Sequence, residues 1–174
     1  YREYGRGRVI HFVGAAYIYP GLPRASTQCK TERFIGSWLT NSGKRRDVIL
    51  STKVAGPSRN LTWIRNGQNE LDAANIRAAV DASLQRLQTD YIDLYQLHAE
   101  DSDTPIEETM RAMNELINSG KVRYIGCSNW HSESIGEAAR ICEKTCLNKF
   151  ISLQLYYNML GRVIQSTQVP PSWQ

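Results

Sequence analysis

Short runs rich in Val, Ile, Leu and Tyr alternate along this chain with longer segments of helical period, and this alternation restricts the fold more than any other feature. Five such runs are predicted strands: RVIHFV (8–13), DVILSTKV (47–54), YIDLYQLH (91–98), VRYIGCS (122–128) and ISLQLYY (151–157). This enrichment in Val, Ile, Leu and Tyr is typical of strands buried on both faces. Strands that alternate with helices predict a parallel sheet with right-handed crossovers.

The segments between the strands carry apolar residues at steps of three and four, as on the buried face of a helix. Two such stripes are Ile76, Val80, Leu84 and Leu87, and then Ile106, Met110, Met113 and Ile117. Asp72 is placed to cap a helix over 73–88, Thr104-Pro105 opens the next one, and Gly120 follows its end. A further helix is predicted at about 132–146, and the loop that ends near residue 28 leads into a fourth.

Composition predicts a single soluble, cytoplasmic domain over residues 1–174. The chain is 41% hydrophobic and 22% charged, with a net charge of +4 and no long basic run, which argues against a nucleic-acid partner. No apolar stretch approaches the roughly 18 residues that span a bilayer, and no secretory signal is recognisable. Four cysteines without regular spacing predict free thiols, and Cys142 and Cys146 predict helix packing rather than a metal site.

The pattern alone is compatible with an open doubly wound sheet or with a (β/α) barrel. A dinucleotide-binding doubly wound fold usually has a glycine-rich turn after its first strand, and this chain has no GxGxxG. Polar residues instead follow the ends of successive strands or lie within the last one: Tyr19, Lys53, His98, Ser128, Asn129 and Gln154. In a (β/α) barrel, the C-terminal strand ends all meet at the face where chemistry occurs.

These residues together suit the reduction of a carbonyl group, although each of them alone has a structural explanation. A phenol titrates near 10, and a nearby ammonium group lowers that pKa and makes the proton easier to transfer. An imidazole can orient the carbonyl oxygen and donate a second hydrogen bond to it. The hydride must come from a nicotinamide cofactor, and Ser128, Asn129 and Gln154 are neutral groups that could hold its carboxamide.

Several motifs, in order and at matching spacings, closely resemble the aldo-keto reductases, especially their bacterial-type branch: STKV, YIDLYQLH, GKVRYIGCSNW, LQLYYNML and TKVAGPSRNLTWIR. The resemblance covers residues 8–164. It implies a (β/α)8 barrel that binds NADPH, or sometimes NADH, and reduces aldehydes and ketones to alcohols.

The resemblance also assigns roles to individual residues. Tyr19, rather than Tyr17, corresponds to the family's proton donor, Lys53 to its activating lysine, and His98 to its substrate-orienting histidine. Ser128, Asn129 and Gln154 correspond to its carboxamide contacts.

One departure from the family concerns residue 14. Family members usually read Asp-Thr-Ala-Glu-x-Tyr where this chain reads Gly14-Ala-Ala-Tyr-Ile-Tyr19, so Gly14 replaces the carboxylate that pairs with the lysine. Without that partner, a desolvated Lys53 tends to lose its proton and acidifies Tyr19 less. We therefore expect a slow enzyme at best.

The second departure is length, because five strands fall short of the eight in a complete barrel. The resemblance assigns them to the second to sixth barrel strands, and the contacts to adenosine and the 2′-phosphate belong to later strands. The open edges predict cover by a second copy or another polypeptide, unless the sequence is an incomplete record of a longer product. Two readings besides the reductase stay open: a non-catalytic binding or regulatory subunit, as the potassium-channel β subunits are, and a degenerate fragment.

The substrate itself is not predictable from the sequence, since loops set it in this family. The available loops are 56–70 and 99–105, and Trp63 in the first is either an apolar wall for the substrate or a packing residue on its own helix.

Overall fold

The computed structural model describes residues 11–16, 24–57 and 62–156. Five strands form one sheet: β1 (His11–Gly14), β2 (Val48–Val54), β3 (Ile92–Leu97), β4 (Val122–Ser128) and β5 (Ser152–Gln154). Four α-helices connect them: α1 (Lys30–Ser42), α2 (Ala73–Leu87), α3 (Ile106–Asn118) and α4 (Ser132–Thr145). Short 3-10 turns lie at Arg45–Asp47 and Ile64–Gly67.

The order of the strands decides between the two predicted architectures. All four strand pairs are parallel, and the strands lie side by side in chain order, β1-β2-β3-β4-β5. A doubly wound sheet reverses its order at a switch point, and this sheet has no reversal. The prediction of a partial (β/α)8 barrel is therefore confirmed: the described residues form a half-barrel of five strands and four helices.

The helices form a layer on the outside of the sheet, each packed against the next in the chain. Their boundaries follow the predicted signals. The Asp72 carboxylate accepts a hydrogen bond from the Asn75 backbone N–H at 2.7 Å and caps α2, α3 begins directly after Pro105, and Gly120 follows its end with a φ of +75°.

A buried polar group fastens α1 to the rest of the fold. Glu32 is fully buried, and its carboxylate accepts hydrogen bonds from Thr52 of β2 at 2.7 Å and from Arg86 of α2 at 2.6 Å. The other buried positions of α1 are Gly36 and Leu39. A single carboxylate thus joins two helices and one strand.

The two faces of β2 have different surroundings. Leu50 faces the helices in the core, and Thr52 faces them against Glu32. Ile49, Ser51 and Lys53 lie on the opposite face, which is the inner face of the half-barrel.

The polarity and the exposure of this inner face change along the strands. Near the C-terminal ends it is polar and buried, with Ser51, Lys53, Gln96 and Ser128 each at most 4% exposed. Near the N-terminal ends it is apolar and exposed at Phe12, Ile49 and Tyr124.

The strand boundaries differ from the predicted ones mainly at the edges of the sheet. The predicted strand 151–157 is wrong in extent, because β5 covers only Ser152–Gln154. Its ladder ends where β4 ends, at the pair Ser128 and Gln154, and Asn129 then turns away with a φ of 55°. The first strand was predicted over 8–13 and runs over His11–Gly14, with residues 8–10 outside the described part.

None of the four cysteines, all of which are described, forms a disulfide, and Cys142 packs with its Sγ 3.4 Å from the Asn148 carbonyl. In the described residues, no helix has both the length and the apolar character to cross a membrane.

Candidate active site

Lys53 and His98 lie at the C-terminal ends of adjacent strands. Lys53 is the penultimate residue of β2, points to the inner face and is only 4% exposed. His98 directly follows β3, and its backbone N–H donates to the Val54 carbonyl at 3.0 Å, which anchors it to the end of β2. The structure therefore brings together an ammonium group and an imidazole that the sequence separates by more than forty residues.

Burial sets the protonation of both groups. It lowers the pKa of Lys53 below the ordinary value of 10.5, since desolvation disfavours the charged amine. Burial also lowers the pKa of His98, and the positive charge of Lys53 lowers it further, to about 4. His98 is therefore neutral at physiological pH, with one ring nitrogen as a donor and the other as an acceptor.

Gly14 lies at the C-terminal end of β1, on the same inner face as Lys53. It pairs in register with Ser51, two residues before Lys53, and paired residues point to the same side of a sheet. Among the described residues, its two chain neighbours aside, a Cβ placed on Gly14 would have one neighbour within 4 Å, a ring carbon of Phe12 at 3.9 Å. The described part of the site thus leaves room for a carboxylate at this position.

Tyr17 and Tyr19 lie outside the described residues, so the place of the predicted proton donor stays a prediction. The last described residues before them are Ala15 and Ala16, which are fully buried, and the Ala15 N–H donates to the Ser51 carbonyl at 2.8 Å.

Three neutral polar residues lie together at the ends of β4 and β5. Ser128 ends β4, Asn129 follows it, and Gln154 ends β5 in register with Ser128. The Asn129 side-chain amide donates to the Ser128 hydroxyl at 3.2 Å, and the Asn129 backbone N–H donates to the Gln154 carbonyl at 3.1 Å. The Asn129 side-chain oxygen accepts from the Tyr156 N–H at 2.9 Å, which fixes the orientation of that side chain.

This cluster has the chemistry that a primary carboxamide requires. Asn129 and Gln154 are exposed and Ser128 is buried, so two amides and a hydroxyl are presented at the mouth of the half-barrel. A nicotinamide carboxamide has one acceptor and two donors, and these side chains offer both donors and acceptors. The residues present therefore fit the nicotinamide end of such a cofactor.

Gln96 is a polar residue of the site that the sequence analysis did not single out. It is 2% exposed, lies opposite Lys53 in the sheet register, and hydrogen-bonds to Ser51 and Ser152. The signal was present in the sequence, because Gln96 comes two residues before His98 and so shares its face of the strand.

The loops at the rim are held by their own hydrogen bonds. The Asp101 carboxylate accepts from the Leu71 N–H and from the Thr104 hydroxyl, both at 2.7 Å.

Trp63 is half-buried and packs against Ala55 and Ile64, beside its own 3-10 turn. This packing favours the second of the two predicted roles, a packing residue, over a wall for the substrate. No group of three or more metal-binding side chains occurs in the described residues.

A comparison with protein families matches residues 7–171 to the model described as the aldo/keto reductase family.

Individual relatives agree with that match. The chain is 34% identical over 177 residues to Protein tas of Escherichia coli (strain K12), an alignment that covers 92% of this chain and 51% of that protein. It is 38% identical over 143 residues to Aldo-keto reductase YhdN of Bacillus subtilis (strain 168), covering 81% and 40%. It is 42% identical over 155 residues to Versiconal hemiacetal acetate reductase of Aspergillus parasiticus, covering 81% and 45%. The chain spans about half the length of these relatives.

Proposed function

We propose that this chain, which belongs to the aldo-keto reductase family, is an NADPH-dependent oxidoreductase that reduces an aldehyde or ketone to an alcohol. The observation that carries the proposal is the meeting of Lys53, His98 and the neutral cluster of Ser128, Asn129 and Gln154 at the C-terminal ends of four adjacent strands. NADPH, when bound, supplies the hydride that none of these side chains can supply.

His98 acts on the substrate carbonyl in this proposal. Its pKa of about 4 keeps the imidazole neutral, so it donates one hydrogen bond to the carbonyl oxygen without protonating it. As negative charge develops on that oxygen, the hydrogen bond strengthens, and this favours the transition state over the ground state.

Lys53 and Tyr19 together deliver the proton. Tyr19 donates its phenolic proton to the carbonyl oxygen of the substrate, which becomes the hydroxyl oxygen of the alcohol. A positive charge on Lys53 lowers the pKa of that phenol. Burial opposes this, because it lowers the pKa of Lys53 itself. With Gly14 in place of a carboxylate, no charge at residue 14 offsets this effect of burial, and we expect proton transfer to be slow.

Ser128, Asn129 and Gln154 hold the carboxamide of the nicotinamide and so determine which face of the ring meets the substrate. The hydrogen bonds among them already orient Asn129 and link it to the end of β5. Preformed geometry of this kind reduces the entropic cost of binding.

A second function is favoured by one observation, the absence of a carboxylate at residue 14. A non-catalytic nicotinamide-binding or regulatory subunit would need the carboxamide contacts and not a charged Lys53. Such a protein would bind NADPH and leave carbonyl compounds unreduced.

Turnover of an aromatic aldehyde such as 4-nitrobenzaldehyde tests the proposal. We expect the purified 174-residue chain to oxidise NADPH only when the aldehyde is present, and to form one alcohol per nucleotide oxidised. His98→Gln should lower kcat by about 100-fold or more, as removal of a donor to a developing oxyanion does. A nucleotide that binds but is not oxidised would support the second function instead.

His11→Gln is the matched control for that variant. His11 is exposed and is the first residue of β1, so it lies away from the C-terminal strand ends. If both histidine variants lost activity equally, the role of His98 in the proposal would be wrong.

A further inference from the structure

We propose that Gln96 is a positioning residue that holds β5, and through it Gln154, in place for the nicotinamide. The inference rests on the proposed function, since it assigns Gln96 to the cofactor end of that same site. It differs from the assigned contacts, because Gln96 acts through Ser152 and not by touching the cofactor.

Gln96 lies at the centre of the buried polar inner face and bridges strands on both sides of its own. Its side-chain oxygen accepts from the Ser51 hydroxyl of β2 at 3.3 Å, and its side-chain nitrogen donates to the Ser152 hydroxyl of β5 at 3.5 Å. Because Gln96 is 2% exposed, water cannot easily replace either partner, and loss of one would leave a buried amide unsatisfied.

The bond from β3 to β5 passes over β4, and Gly126 makes this possible. Gln96, Gly126 and Ser152 are in register across the three strands. A Cβ on Gly126 would lie 2.7 Å from the Ser152 carbonyl oxygen and 3.3 Å from Cγ of Gln96. The glycine therefore leaves the space through which the glutamine side chain reaches the strand beyond.

Among the described strands, β5 has the weakest backbone support. It is three residues long and pairs with β4, and its other edge has no described partner strand. Ser152 and Gln154 lie two residues apart and point to the same face. A hydrogen bond that holds the Ser152 side chain inward thus also directs Gln154 toward the inner mouth of the half-barrel.

The same bond links the two halves of the site. Gln96 is the register partner of Lys53 and lies two residues before His98, whereas Ser152 lies two residues before Gln154. The spacing between the groups that act on the carbonyl and those that hold the carboxamide therefore depends on Gln96.

The first test is hydrogen exchange in the nucleotide-free chain, measured by NMR at the Asn129 amide, which donates to the Gln154 carbonyl. Gln96→Met keeps the length of the side chain and removes its polar atoms, and Ser152→Ala removes only the partner on β5. We expect each to speed that exchange by about 3- to 10-fold, the effect of losing one hydrogen bond. The double variant should be no faster than the faster single one, because both break the same bond.

The controls separate this role from a general loosening of the sheet. Ser51→Ala breaks the bond to β2 and leaves the one to β5, so exchange at Asn129 should change by less than about twofold. Exchange at the His98 amide, which donates to Val54, should be unaltered in Ser152→Ala, because that variant leaves the bond between β2 and β3 intact. Unchanged exchange at Asn129, or an equal effect of Ser51→Ala, would overturn the inference.

The second test is NADPH affinity, followed by nucleotide fluorescence. Gln96→Met and Ser152→Ala should raise the Kd by about the same factor as they speed exchange, again without adding in the double variant. Altered exchange with unaltered affinity would overturn the positioning role. If the unmodified chain bound no NADPH, the proposed function would fail, while the exchange measurement would still decide whether Gln96 holds β5.

Discussion

Replacing Gly14 with aspartate puts a carboxylate on the inner face, near Lys53, whose pKa is lowered by burial. The register puts residue 14 opposite Ser51, one layer below Lys53, and among the described residues outside its chain neighbours only the Phe12 ring lies within 4 Å of its Cβ position. The perturbation should therefore change the charge near Lys53 with little steric cost.

Residues that are two positions off register lie about 7 Å apart across a sheet, within reach of a carboxylate and an ammonium group. Opposite charges about 5 Å apart at an effective dielectric constant of about 20 attract by about 3 kcal/mol. That attraction should raise the pKa of Lys53 and so oppose the lowering that burial causes. A more fully charged Lys53 should increase the rate constant for carbonyl reduction by about tenfold or more.

The assay compares Gly14→Asp with Gly14→Asn, which has nearly the same size and no charge. The midpoint for labelling of Lys53 by acetic anhydride is followed against pH by mass spectrometry, with the exposed Lys144 as an internal reference. The aspartate variant alone should move the midpoint upward and speed the reaction. Equal midpoints and equal rates in the two variants would refute the argument that the missing carboxylate limits Lys53.

Two further predictions concern stability. His98 has a pKa of about 4 in the folded chain and about 6.5 when unfolded, so the unfolded state binds the proton at a higher pH. The free energy of unfolding should therefore fall by about 3 kcal/mol as the pH drops from about 6.5 to about 4. Urea unfolding across these pH values should show this slope, and His98→Gln should flatten it; a slope that persists in the variant would assign the effect to other groups. Glu32→Gln should cost about 3–5 kcal/mol, because it removes the fully buried counter-charge of the partly buried Arg86. By contrast, Glu107→Gln in the exposed pair with Arg111 should cost less than about 1 kcal/mol. Similar losses in the two glutamate variants, measured by urea unfolding, would contradict the role given to Glu32.

The central part of the fold could be predicted from the sequence because burial there is expressed in apolar residues. The strands β2, β3 and β4 contain runs rich in Val, Ile, Leu and Tyr, and α2 and α3 each have one apolar stripe. The helix α1 gave no such stripe, since two of its three buried positions are Glu32 and Gly36 while Phe34 and Trp38 are exposed. Its buried side chain is satisfied by a charge on another helix, which no local pattern reveals.

The site was predictable to the extent that its residues follow strand ends. Lys53, His98 and Ser128 lie where parallel strands bring their C-terminal ends together, and the resemblance to a family assigned their roles. Gln96 escaped prediction because it lies inside a strand that reads as buried, and its partners, Ser51 and Ser152, are more than forty residues away in the chain. The lowered pKa of His98 depends on burial and on Lys53, and so required the fold.

The most direct test of the central claim is a titration of the 174-residue chain with NADPH, followed by the fluorescence of the nucleotide. We expect a saturable change, and we expect Asn129→Ala to weaken the affinity by about threefold or more, as loss of a hydrogen-bonding contact would. Asn148→Ala, a change at an exposed residue outside the site, should leave the titration unaltered. If no saturable change occurred at any nucleotide concentration, the chain would not hold the cofactor, and the proposed reductase site would be contradicted.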